Sequence, residues 1–312
     1  MKDRKMIDLP APAFTAENVA MMQVGPNPST RNQSPLPIPR RRTVIEPPAA
    51  ADTAPAADAK KPGRFEECVA AGRANPAAGI ALAKAWLAEN PTPEARVAAQ
   101  LCLGQLQSAQ GDYAGAEQAF VDAAANIPAD HAAAAIPLYG MAGNAALAAG
   151  QAERATDWFD KALAIKGATD NVALGGLQAD RARALVAQGR MAEAGGALDE
   201  AHRLAPDDPQ GWLLSATLAR RGKDLPRAQR DIEIASNLDP RDPAIGLEAG
   251  VIAVLDGRDE AARKSWESVV KAAPASEEAK VAKGYLEQLG PAPTSSASTP
   301  PAQSIPPAKQ VP

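Results

Sequence analysis

Between Gly63 and Gly290, apolar and small residues return at helical spacing, and Gly, Asn-Pro, Thr-Pro or Asp-Pro interrupts the pattern at short intervals. Asn75-Pro76, Thr92-Pro93, Asp208-Pro209 and Asp242-Pro243 each place a capping side chain before a proline. That order predicts four helix N-termini, because the side chain accepts from free amides while proline has none to leave unpaired. Asp208-Pro209 and Asp242-Pro243 are 34 residues apart, and the interval recurs elsewhere.

Small residues stand at Gly104, Gly143, Ala182, Ala216 and Gly250, in steps of 39, 39, 34 and 34. Two further series keep the same steps: Ala116, Ala155, Ala194, Ala228, Ala262, and Ala123, Ala162, Ala201, Ala235, Val269. Between them comes a large apolar residue each time, at Phe120, Phe159, Leu198, Ile232 and Trp266. Each unit therefore reads as a helix, a turn at Gly111, Gly150, Gly189, Gly222 or Gly257, and a second helix ending near Pro128, Gly167, Pro206, Pro240 or Pro274. A hairpin of this kind cannot bury its apolar face alone, so the units are expected to stack.

The unit carrying Gly104, Gly111, Asp112, Tyr113, Ala116, Phe120, Ala123 and Pro128 resembles a tetratricopeptide repeat (TPR). The resemblance implies an all-α fold, a right-handed α-α superhelix or TPR solenoid. Its repeats would be 97–130, 136–169, 175–208, 209–242 and 243–276, behind a degenerate N-terminal hairpin at 61–96 and before a capping helix at 277–290. The five extra residues of the 39-residue units are expected to lengthen helices around Ala132–Ala135 and Asn171–Leu174, or to widen the joins. Pro-rich tails at 1–60 and 291–312 hold 10 and 7 of the 29 prolines, a composition expected to stay disordered. Within the first tail, Thr15 to Val24 reads as a transient amphipathic helix and Arg40-Arg41-Arg42 as solvation.

The resemblance further implies a concave groove, lined by first helices, that holds a segment of another protein. The residues following each first-helix small residue are expected to face it: Gln105, Asn144, Arg183, Thr217 and Val251, with Arg220 one turn beyond Thr217. Four of those five are polar, which suits a hydrogen-bonding, cationic groove for an acidic segment; a plain solvated surface is the alternative. Leu101 and Gly140 do not supply the lysines and asparagines of the carboxylate clamp in heat-shock co-chaperones. Arg181 interrupts an apolar line between Leu177 and Leu185, either to anchor a ligand acid or to pair with Asp180 or Asp160.

The remaining chemistry narrows the function. With 33 basic against 37 acidic residues the net charge is -4, so no global field favours nucleic acid. Two cysteines and two histidines are too few for a multi-Cys zinc site, and no nucleophile-base-acid set, P-loop or dinucleotide fingerprint appears. The chain is read as a non-enzymatic scaffold with no cofactor. Cys68 and Cys102 are expected to be buried thiols, although a disulfide would fit an exported protein. No run of 18 apolar residues or N-terminal h-region is present, so the chain as written is placed in the cytoplasm. The alternative is a periplasmic envelope-assembly or secretion-associated protein whose signal lies upstream, since TPR proteins are frequent there and the tails resemble bacterial ones.

Overall fold

A computed structural model describes residues 63–290, so the expectations for the two tails, Thr15 to Val24 and Arg40 to Arg42 included, lie outside the described residues. Those residues form thirteen α-helices and one 3-10 helix, with no strand among them. The helices are α1 (Arg64–Ala74), α2 (Pro76–Ala88), α3 (Pro93–Ala109), α4 (Tyr113–Ala125), α5 (Ile136–Ala148), α6 (Ala152–Leu163) and α7 (Asn171–Ala187). They continue with α8 (Met191–Leu204), α9 (Pro209–Arg221), α10 (Leu225–Leu238), α11 (Pro243–Leu255), α12 (Asp259–Ala272) and α13 (Glu277–Leu289). Two compact units meet in sequence at Leu218 and Ala219.

The helix ends follow the capping chemistry of the sequence. Asn75 accepts from Ala77 N at 3.1 Å, Thr92 from Ala95 N at 3.4 Å, Asp208 from Gln210 N at 3.1 Å and Asp242 from Ala244 N at 2.7 Å. The turns within hairpins repeat one closure, an amide reaching back five residues: Asp112 to Gln107, Gln151 to Ala146, Arg190 to Leu185, Asp224 to Ala219 and Arg258 to Ala253. That closure needs a left-handed residue, which is Gly111, Gly150, Gly189 and Gly257, with φ between 76° and 79°. In the remaining turn the expected Gly222 does not take this role. Lys223 does, at φ 63°, because the period of 34 from Gly189 lands on it.

In the first unit, small residues let rings in. A Cβ added to Gly104 would stand 2.6 Å from Phe120, and one added to Gly143 would stand 2.6 Å from Phe159, so each first helix lies directly on the ring of its partner. Ala116, Ala155 and Ala194 are fully buried, as are Phe159 and Leu198. Around Phe159 and Ala162 the core gathers Ile136, Leu147, Leu177 and Ala184 from α5 and α7. The extra residues of the longer repeats appear as the 3-10 helix Ala129–Ala135 before α5 and as added length in α7, which has 17 residues against 13 in α5.

The second unit repeats the arrangement with a larger ring. A Cβ on Gly250 would lie 2.1 Å from Trp266 Nε1, and that indole is fully buried and donates to Leu247 O at 3.1 Å. Ala279, Ala282 and Tyr285 of α13 close the cluster, and α13 turns Lys280, Lys283 and Glu287 outward. On its inner side, Arg220 Nε donates to Glu248 Oε1 at 2.5 Å, with the two side chains only 10% and 11% exposed.

The cysteine expectation needs correction. Cys68 on α1 and Cys102 on α3 are buried, but they are joined as a disulfide, with α-carbons 6.5 Å apart. Their separation of 34 residues is one repeat length, which puts them side by side on neighbouring hairpins.

Candidate functional site

The residues following the first-helix small positions are polar where the helix surface leaves the core, and in the first unit two of them meet. Asn144 on α5 donates Nδ2 to Asp180 Oδ2 on α7 at 2.9 Å. The other Asp180 oxygen pairs with Arg183, one turn along the same helix. The Arg183 and Asp180 side chains are 15% and 21% exposed, and Arg183 Nε is buried without a partner. The cluster thus carries its own counter-charge. It spans two successive first helices, and Arg183 keeps one buried N–H unpaired.

Along α7, the positions Val172, Gly176, Asp180 and Arg183 share one face by their spacing. Val172 is 70% exposed, and a Cβ built on Gly176 would meet nothing within 4 Å. The face therefore offers an exposed apolar side chain, bare helix backbone with space above it, and the polar cluster. Gly175, next to that bare backbone, is spent on packing, since its Cβ would press on Ala205 at 2.6 Å.

Not all of the candidate residues join this cluster. Gln105 is exposed on α3 and Thr217 half-buried on α9, and neither bonds to the cluster among the described residues. Arg220 belongs to the second unit, where its charge is spent on Glu248; Val251 is buried there against Tyr285. Burial pushes the Tyr285 phenol above its ordinary range, with Arg220 opposing and Glu248 adding to the shift. Arg181 reaches Asp160 rather than Asp180, at 2.5 Å. Asp180, named in the sequence only as a partner for Arg181, is instead the centre of the cluster.

A second set of polar contacts was missed from the sequence. The residue after each buried second-helix alanine ties its repeat to the next one. Glu117, 2% exposed, accepts from Arg154 Nη2 at 2.5 Å and Trp158 Nε1 at 2.7 Å. Thr156 accepts from Gln188 at 2.6 Å, Gln229 pairs with Arg258, and Arg263 donates to Gly290 O at 2.6 Å. Only Gly195 occupies the position without a side chain. The signal lay one residue beyond the alanine series, where residue type varies too much to be seen as a repeat.

No group of three or more His, Cys, Asp or Glu among the described residues is placed to hold a metal ion. His131 lies 3.7 Å from Asp130, both exposed, and His202 stacks on Trp212 at 3.6 Å. No helix among the described residues is long and apolar enough to cross a membrane.

Comparison with known proteins bears on the fold. Residues 175–218 match the tetratricopeptide repeat family model. No curated protein sequence matches the chain. Among solved structures, the type IV pilus biogenesis factor PilW superimposes with a TM-score of 0.57 at 17% identity, covering 70% of this chain and 96% of its own. Pseudomonas aeruginosa pilF gives a TM-score of 0.54 at 14% identity, with 72% and 98% coverage. At such identities the likeness is one of fold. The chain carries a tetratricopeptide repeat at 175–218, and its described helices have the tetratricopeptide-repeat fold.

Proposed function

We propose that the protein is a non-enzymatic scaffold that holds a segment of a partner protein against the α5–α7 face of the first unit. The observation carrying this reading is the Asn144-Asp180-Arg183 cluster beside the open backbone at Gly176. An extended segment can approach that backbone closely and exchange hydrogen bonds with the cluster edge, while an apolar side chain covers Val172.

The acidic preference expected from the sequence loses its support in this arrangement. Arg183, Arg181 and Arg220 each face a carboxylate, and residues 63–218 hold 11 basic against 18 acidic residues. The field around the face is negative, so a polar segment of neutral or basic character fits better than an acidic one. A photo-crosslinker at Val172 is expected to capture a partner segment, and the double change Asn144→Ala with Arg183→Ala is expected to reduce capture at least 10-fold. Capture unchanged in the double variant, at equal helical content, overturns this placement.

The exported alternative is favoured by one observation, the buried Cys68–Cys102 disulfide, since such bonds persist in oxidising compartments and are rare in a reducing cytosol. We propose the envelope as the site of action. Fractionation of the native host checks this: the protein is expected outside the cytoplasm, and recovery wholly in the cytosolic fraction with free thiols rejects it.

A further inference from the structure

The N-terminal hairpin is attached differently from the repeats behind it. Only Asn75 separates α1 from α2, and the two helices cross at Gly72 and Gly79, where a Cβ on Gly79 would lie 2.7 Å from the Gly72 Cα. No aromatic ring fills that crossing. Leu106 of α3 lies over it instead, 2.2 Å from a Cβ built on Gly72. Among the described polar ties, Arg64 on α1 holds Glu89 just past α2 at 2.6 and 2.8 Å, and the linker residue Asn90 accepts from Arg96 at the start of α3 at 2.7 Å. What joins it to α3 is a small apolar cluster around Ala83, Leu103 and Leu106, and the disulfide at its centre.

We infer that the Cys68–Cys102 disulfide is an oxidation-dependent closure that docks the α1–α2 hairpin onto α3 and so caps the first repeat. In three of the repeats behind, at Gly104, Gly143 and Gly250, a ring of the second helix fills the pair from within. Here no ring does so, and the covalent bond ties the pair to α3 instead; its sulfurs, 2% and 0% exposed by residue, are shielded once the hairpin is docked. The bond forms by thiol–disulfide exchange: the two thiols lose two electrons and two protons to the disulfide of a thiol oxidoreductase, whose own S–S bond breaks to a dithiol. With both thiols reduced, the hairpin depends on the apolar cluster alone, and it opens to expose Leu103 and Leu106. The device does not depend on the α5–α7 face and stands apart from the proposed function.

Full-length protein purified oxidised, and the same protein purified under continuous reductant, provide the test by limited trypsin digestion and intact mass. Oxidised protein is expected to show no thiol reactive to iodoacetamide after denaturation. Reduced protein is expected to be cut at Arg64, Arg73 and Lys84 at least 10-fold faster, with cutting at Arg154, Lys161 and Arg181 unchanged. The Cys68→Ala, Cys102→Ala double variant should be cut like the reduced protein, with or without reductant. Two reactive thiols in protein matured in an oxidising compartment, or equal cutting of the hairpin in both redox states, overturns the inference. Should the double variant not fold, the two preparations of the unaltered chain decide alone.

Discussion

Glycine has opposite meanings at different positions of this chain, and substitution should separate them. Gly143 faces the fully buried Phe159, so Gly143→Ala has nowhere to put its methyl and is expected to cost about 1–3 kcal/mol of stability by overpacking. Gly196 on α8 is exposed, with nothing within 4 Å of its Cβ position, and Gly196→Ala is expected to add about 0.5–1 kcal/mol by removing backbone entropy from the unfolded chain. Lys223 is the reverse case, a side-chain residue held at φ 63° where the other turns of this kind use glycine. Lys223→Gly should stabilise by up to ~1 kcal/mol, since it relieves the steric penalty of a left-handed turn. Urea unfolding of the three variants against the parent measures all of these. The repeat steps made the glycine and alanine series readable from sequence alone, except in the turn expected at Gly222, where Lys223 takes the left-handed position. Glu117 was not readable, because its burial comes from Arg154 and Trp158, which lie 37 and 41 residues later in the chain.

Elements differ in how they are held, and this sets how they respond to pH. Within the N-terminal hairpin, the Arg64 guanidinium bonded to Glu89 holds that carboxyl below its ordinary range, and Glu89 in turn raises Arg64. Because the folded Glu89 value is the lower one, its contribution is present above the ordinary carboxylate pKa of 4.5 and is lost as pH falls through the folded value. Both groups are exposed, so the effect should be salt-sensitive. Hydrogen exchange of α1 and α2 is expected to accelerate below about pH 4.5 relative to α5 and α6, and the Glu89→Gln variant should lose this acid step. Equal acid dependence in the variant removes Glu89 as its cause. Second helices carry a different tie, the polar contact one residue after the buried alanine, made by Glu117, Thr156, Gln229 and Arg263 but not by Gly195. Since Glu117 is buried and Arg154 half in water, Glu117→Ala is expected to cost about 2–3 kcal/mol. The change leaves the Trp158 indole without its acceptor, and urea unfolding followed by Trp fluorescence measures it.

At the scale of the whole molecule, the described residues are helix pairs in two compact units, and the N-terminal hairpin of the first is tied to the next by a covalent bond. On the chain-entropy account, a bridge spanning 34 residues contributes about 3–4 kcal/mol, and calorimetry with and without reductant should show a difference of that order confined to the N-terminal end. The sequence by itself determined the helical pairs, their caps and their buried small-residue series, because helix formation and close packing are local and periodic properties that repeat in the chain as they repeat in space. Only the tertiary structure decided which polar residues meet. Asp180 joins Asn144 across two helices, Arg181 turns to Asp160, Arg220 is spent on Glu248, and two cysteines a repeat apart come within bonding distance. The physical reason is that charge pairing and disulfide bonding depend on the position of one atom against another across separate helices, and an apolar period of 34 or 39 residues fixes which helices are neighbours without fixing which side chains touch.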